Sequence, residues 1–207
     1  MLNSVLVTCP DYDRMTRYLS AWANLFISEA QKRRHVVYVL KEKDANREKF
    51  QGMVKKNAPN IIFINGHGAE DRVAGQDHKI IIDTRSANIL KNAIVYAVSC
   101  KSARMLGAQA IKAGAKAYIG YIEDFILVSQ PRKTAHPQDD TTAALFLNPS
   151  NHIMTSLVKG HSAKKAVAKG RAEFAKSITS ALNSDVQSDD DKYIPYLMWD
   201  RQFLTAC

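Results

Sequence analysis

The chain has 207 residues, 46% of them hydrophobic, with nine Gly and six Pro. That suffices for one packed α/β domain and carries none of the bias of a low-complexity or collagen-like chain. A formal net charge of +9 admits nucleic acid or an acidic partner. The cations, however, are interleaved with acids, as in Lys41-Glu42-Lys43-Asp44 and Arg47-Glu48-Lys49. Without a basic run or an aromatic-studded basic strand, the charge reads as a solvated surface and argues against nucleic acid.

Cys9, Cys100 and Cys207 are odd in number and widely spaced, which suggests neither a disulfide framework nor a paired-cysteine zinc site. The start, Met1-Leu2-Asn3-Ser4-Val5, lacks the charged and apolar regions of a signal peptide. No apolar run approaches the ~18–20 residues of a membrane span. A soluble, cytoplasmic protein is the expectation.

In chain order, Ser4–Cys9 reads as a buried strand ended by Pro10-Asp11. Tyr12 to Arg33 carries apolar residues at helical spacing, at Met15, Leu19, Trp22, Phe26 and Ala30. Val36–Leu40 is a second strand, and Asn46–Lys56 a helix with Phe50, Met53 and Val54 on one side. Asn60–Ile64 is a third strand running into Asn65-Gly66-His67-Gly68. Ala69 to Asp83 is a polar excursion with one strand-like patch at Lys79–Asp83, and Ser86–Leu90 a short helix. Ala93–Val98 is a fourth strand, ending at Ser99-Cys100; Ala103–Ala113 is a helix closed by Gly114. Ala117–Ile122 is a fifth strand, followed by Glu123-Asp124.

Gln130–Asp140 reads as a surface loop, then Thr141–Lys159 and Ser162–Ala181 as helices. Ser184–Asp191 is acidic, Ser-rich and expected to be mobile; Tyr196–Trp199 reads as a last strand or extended segment. Apolar strands separated by helices imply right-handed crossovers and a mostly parallel sheet covered on both faces. With no repeat and no linker visible, residues 1–207 are expected to form a single domain.

Ligands of an open parallel sheet bind at the carboxyl ends of its strands. The third strand ends in Gly66-His67-Gly68 and the fourth in Ser99-Cys100. As neighbours they bring an imidazole within one or two strand spacings (about 5–10 Å) of a thiol. An imidazole there holds the thiol as thiolate or takes its proton during attack. The amides of Gly68 and Cys100 are placed to donate to an oxyanion. Taken singly, a cysteine at a strand end more often packs as a small hydrophobe, and a histidine in a Gly-rich turn is more often exposed or capping.

The run strand-NGHG, strand-SCKSA, helix, then Gly114-Ala115-Lys116-Ala117-Tyr118-Ile119-Gly120 resembles the clan CD cysteine peptidases: caspases, metacaspases, gingipains, clostripain, separase and the bacterial CHAT domains. The resemblance covers about residues 60 to 125. More loosely, Tyr196–Leu204 is similar to the closing strand of CHAT-type domains, and Leu157–Arg171 to the helix before it. The implied fold is a caspase-like three-layer sandwich, a mostly parallel central sheet flanked by helices. The implied activity is cysteine endopeptidase, with His67 as general base or acid, Cys100 as nucleophile and Gly68 supplying an oxyanion-hole amide. Its substrate would be a protein or peptide, with no cofactor and no metal, and its regulation would come from calcium, cleavage or a protein partner.

The surroundings Val98-Ser99-Cys100-Lys101-Ser102 depart from the caspase Gln-Ala-Cys-x-Gly, so aspartate specificity is not implied. The short His67–Cys100 interval resembles the compact bacterial members. Several clan members cleave after Arg or Lys by means of an acidic subsite, and Glu123 and Asp124 lie at the right sheet edge to meet a basic side chain. They also suit capping of the next segment. Asp71, Asp77 and Asp83 are further candidates, and Arg132-Lys133 is a dibasic pair in the loop.

A phosphatase loop would need Arg six residues after the cysteine, where Leu106 and Met15 stand. Gly-x-Ser-x-Gly, P-loop and Gly-x-Gly-x-x-Gly patterns are absent, and the histidines lack metal-ligand spacing. The competing reading is a non-enzymatic α/β binding or scaffold module with a basic surface.

Overall fold

A computed structural model describes residues 4–183 and 190–207. The backbone is organised around a six-stranded sheet with a separate three-stranded one beside it. The large sheet has the order β2-β1-β3-β7-β8-β9, with β1 Ser4–Cys9, β2 Val36–Lys41, β3 Ile61–Asn65, β7 Ile94–Val98, β8 Ala117–Tyr121 and β9 Leu204–Ala206. All pairings are parallel except that of β9 with β8. The small sheet is antiparallel, β4 His67–Ala69, β5 Arg72–Ala74 and β6 Ile80–Asp83. It is the polar excursion of the sequence, folded into strands.

The apolar strands lack polar alternation because both faces are covered. Successive side chains point to opposite sides. Val5, Val7, Ile61, Phe63, Tyr96, Val98, Ile119 and Tyr121 therefore enter one core. Leu6, Ile62, Ile64, Val95, Ala97 and Tyr118 enter the other. Helices α1 (Arg14–Lys32), α4 (Thr141–Val158) and α5 (Ala163–Asn183) close the first core through residues such as Trp22, Phe26, Phe146, Ile153 and Phe174. Helices α2 (Arg47–Asn57) and α3 (Met105–Lys112) close the second through Phe50, Val54, Leu106 and Ala110. The small sheet adds Val73 and Ile82 to that core. This is the three-layer sandwich expected from the sequence.

The closing segment differs from expectation. Tyr196–Trp199 lies inside helix α6 (Ile194–Phe203), and only Leu204–Ala206 forms a strand. Pro195 stands in the first turn of that helix, where its missing N–H is no loss. Leu197 and Asp200, three residues apart, are the buried pair, and that helical spacing overrides the strand preference of the aromatics. The similarity of Leu157–Arg171 to a helix holds for most of its length, but the segment spans the end of α4 and the start of α5, and α6 intervenes before β9. Of the Ser-rich acidic stretch, residues 184–189 lie outside the described residues.

Candidate active site

Three consecutive neighbours of the large sheet, β1, β3 and β7, deliver the site residues from their carboxyl ends. The register pairs Thr8 with Ile64 and Asn65 with Val98. Buried Thr8 and Asn65 lock the first two ends together: the Asn65 N–H donates to Thr8 Oγ1 (3.0 Å), and that hydroxyl donates back to the Asn65 carbonyl (3.2 Å). Beyond this pairing the two chain ends stay close, since the position of a Gly68 Cβ lies against the Cys100 main chain.

After β1 the chain turns through Pro10–Tyr12 to Asp13, the N-cap of α1. Its Oδ1 accepts from the Thr16 amide at 2.8 Å, closing a capping box. The other oxygen, Oδ2, lies 2.6 Å from His67 Nε2. Burial works to raise the Asp13 carboxyl, yet hydrogen bonds from Thr16 and His67 outweigh it and hold the group below its ordinary value. An ionised carboxylate only accepts, so Nε2 is the donor to Asp13, and Nδ1 is the ring nitrogen left outside that contact. The ring is flanked by His78, centroids 5.4 Å apart, and Tyr12, at 6.1 Å. Tyr12 Oη is 3.1 Å from His78 Nδ1.

Gly66, at φ +153°, turns the chain out of β3, where a Cβ would overlap the Ala74 carbonyl. At Gly68 a Cβ would overlap the Cys100 carbonyl oxygen and stand 2.8 Å from its nitrogen. Backbone on both sides leaves nothing to yield, so the His67 strand and the Cys100 turn touch main chain to main chain. Gly68→Ala is expected to destabilise the protein by about 1–3 kcal/mol, as overpacking does. It should also displace Cys100, which thiol-alkylation rates in the folded protein will register.

Cys100 is half-buried. Beneath it, buried Ser99 donates to Ser102 at 2.8 Å, and Lys101, at φ +56°, donates its N–H to the Glu123 carbonyl at 3.0 Å. The thiol donates to the Phe125 carbonyl at 3.9 Å; no hydrogen bond joins it to His67 among the described residues. Burial raises its pKa, the Phe125 contact opposes that, and the Asp124 charge adds to the rise. The resting group is therefore a thiol. Cys9, buried beside Ser20, is pushed up to about 12 and is inert at neutral pH.

Glu123 and Asp124 stand at this edge but are already paired. Arg104 reaches Glu70 Oε1 at 2.7 Å, Glu123 Oε1, and the Ile122 carbonyl at 2.6 Å. Lys101 Nζ lies 3.1 Å from Asp124 Oδ2. Of the further acids, Asp83 is buried on Arg47 and Arg85, Asp71 pairs with Arg72 at 3.6 Å, and Asp77 lies in an exposed turn. Arg132 and Lys133 form a short helical turn in the loop after β8. From α6, Trp199 Nε1 donates to the Asp124 carbonyl and Asp200 Oδ1 accepts from the Ile126 amide, both at 2.9 Å. These two bonds fix the segment that carries the Phe125 carbonyl.

Because the Asp124 charge disfavours the thiolate, Asp124→Asn is expected to lower the Cys100 pKa. The pH profile of Cys100 alkylation by iodoacetamide should move toward lower pH. An unmoved or raised profile would count against the charge effect.

The sequence matches no family model and no curated protein. Among solved structures, the fold is similar to that of gingipain R, an Arg-specific cysteine proteinase. The TM-score is 0.57 at 12% identity, over 99% of this chain and 46% of that one. The chain thus spans less than half the length of that proteinase. The likeness is one of fold, a mostly parallel sheet between helical layers. No described helix is long and apolar enough to cross a membrane.

Proposed function

We propose that the chain is a single cysteine-endopeptidase domain in which Cys100 is the nucleophile, His67 the general base and acid, and Asp13 the group that orients His67. The observation that carries this reading is the 2.6 Å contact of His67 Nε2 with Asp13, which leaves Nδ1 to accept a proton on the residue next to Gly68, itself packed against the Cys100 main chain.

With a resting thiol, the proton leaves as attack begins. Sγ bonds to the scissile carbonyl carbon while His67 Nδ1 takes the thiol proton. The carbonyl oxygen becomes an oxyanion, for which the Gly68 and Cys100 amides are the proposed donors. Collapse breaks the C–N bond, and the His67 proton passes to the departing amine. Water, deprotonated by His67, then hydrolyses the thioester and returns the thiol. Asp13 stabilises the imidazolium in both halves.

Within this reading Asp124 is the better candidate for contact with a basic residue on the acyl side of the bond. Its partner Lys101 is 35% exposed and Asp124 itself 54%. An incoming Lys or Arg exchanges one exposed ion pair for another at little cost. Glu123 is held by an Arg104 that also grips Glu70 and Ile122, and displacing that fork leaves several groups without partners. The competing reading, a non-enzymatic binding module, draws on the thiol's contact with Phe125 rather than His67.

Digestion of a proteome-derived peptide library, with new N-termini identified by mass spectrometry, separates the two. The peptidase reading expects cuts by the wild type, enriched after Lys and Arg, and none by Cys100→Ala. A wild type that generates no new termini overturns it.

A further inference from the structure

The outer face of the small sheet continues the candidate site. The ladder pairs His67 with Ala74 and Ala69 with Arg72, and Ala74 with Ile80. Because side chains alternate, His67, Ala69, Arg72 and Ala74 share one face, while Gly68 and Val73 face the other; a register shift between Val73 and Ala74 sets Ile80 opposite Ala74. Val73 and Ile82 are fully buried. The outer face is thus free of core packing.

Two alanines occupy the middle of that face, and their small size leaves a cavity of about 270 Å³. His67, Arg72 and His78 stand around it with Ile80. Arg72 is diagonal to His67 across the β4–β5 pair, a relation that sets Cβ atoms about 7–8 Å apart. The lining contains Arg72 and two imidazoles and no carboxylate; it includes Gly68 but not Cys100. The partner of Arg72, Asp71, is 3.6 Å away and 40% exposed, a loose surface pair that another carboxylate can replace.

We infer that this cavity receives an acidic side chain of the substrate, on the leaving-group side of the scissile bond, with Arg72 as the residue that selects it. The inference rests on the peptidase reading for its direction. His67 delivers a proton to the departing amine, so a cavity bounded by His67 and away from Cys100 lies on the amine's side. A guanidinium over an apolar floor suits Asp or Glu, whose carboxylate it meets by a charge-assisted bond. The net charge of +9 favours acidic segments at longer range. Together with Asp124, the selected bond has a basic residue before it and an acidic one after it.

The peptide-library digestion is repeated with Arg72→Ala and Arg72→Glu. Wild type is expected to favour Asp and Glu over Lys and Arg immediately after the cut by about fivefold. Arg72→Ala should lose that preference, and Arg72→Glu should reverse it. A wild type without the preference, or an Arg72→Ala that keeps it, overturns the inference while leaving the peptidase standing. A second measurement is independent of cleavage. N-acetylglutamate N-methylamide is titrated into the Cys100→Ala protein against its glutamine counterpart, and the His67 and His78 imidazole resonances are followed. Saturable shifts with the glutamate compound only, lost with Arg72→Ala, support the cavity's role even if no peptide is cut. Equal response to both compounds, or no response, removes it.

Discussion

Asp13→Asn is expected to lower kcat/KM by about 10²–10⁴-fold while changing stability by less than about 1 kcal/mol. Asparagine caps a helix about as well as aspartate, so its Oδ1 still accepts from the Thr16 amide, as Asp13 does at 2.8 Å. On the His67 side the change is larger. Where the carboxylate accepts from Nε2, an amide nitrogen donates to it and drives the proton to Nδ1, the position that must be vacant to take the thiol proton. A corresponding change of tautomer elsewhere lowers catalysis about 10⁴-fold. Urea unfolding and steady-state kinetics on the same preparations separate the two effects, and equal loss of both would make Asp13 only a cap. The pH dependence has a definite sign. The folded carboxyl lies below its ordinary value of 3.8, so its stabilisation is present above that value and is lost as pH falls through the folded pKa. Asp13→Asn removes this acid-sensitive part, and its deficit against wild type, if any, should shrink below about pH 4.

Cys100→Ala should abolish turnover, and His67→Ala should reduce it by about 10⁴-fold or more, with the double variant no slower than the worse single one. Groups that act as a unit are non-additive in this way, because either loss removes the whole step. Two independent residues would instead multiply their effects. Cys100 is half-buried and lies in a turn, so Cys100→Ala is expected to fold and to serve as the substrate-trapping form. Residual cleavage by Cys100→Ala at the wild-type rate would move the chemistry away from this edge altogether.

What the sequence disclosed followed from burial. The strands β1, β3, β7 and β8 were legible because each feeds two cores and is mostly apolar, and the ends of β3 and β7 located His67, Gly68 and Cys100 at one edge. Asp13 was not legible as a partner of His67. Asp13 is the N-cap of the first helix, and its second oxygen reaches His67 from the end of β1, which pairs with β3 in parallel. A cap residue one turn after a strand adjacent to the histidine strand was the available signal. Glu123 and Asp124 were placed at the right edge, but their pairing with Arg104 and Lys101 was missed. Both cations follow Cys100 within four residues in the sequence and emerge at the same edge. The aromatic run before β9 was misread because strand preference is a statement about half-buried faces, and here Tyr196, Met198 and Trp199 are exposed on a helix.

The central claim, that Cys100 is a nucleophile served by His67, is tested most directly by covalent labelling. Acyloxymethyl ketone peptides ending in Arg, Lys, Asp or Leu are incubated with wild type, Cys100→Ala and His67→Ala, and intact mass and peptide maps locate the adduct. The account predicts a single adduct on Cys100, fastest with the Arg or Lys probes, absent in Cys100→Ala and severely slowed in His67→Ala. An unlabelled Cys100 with every probe, or labelling of Cys100 at the same rate without His67, would contradict it.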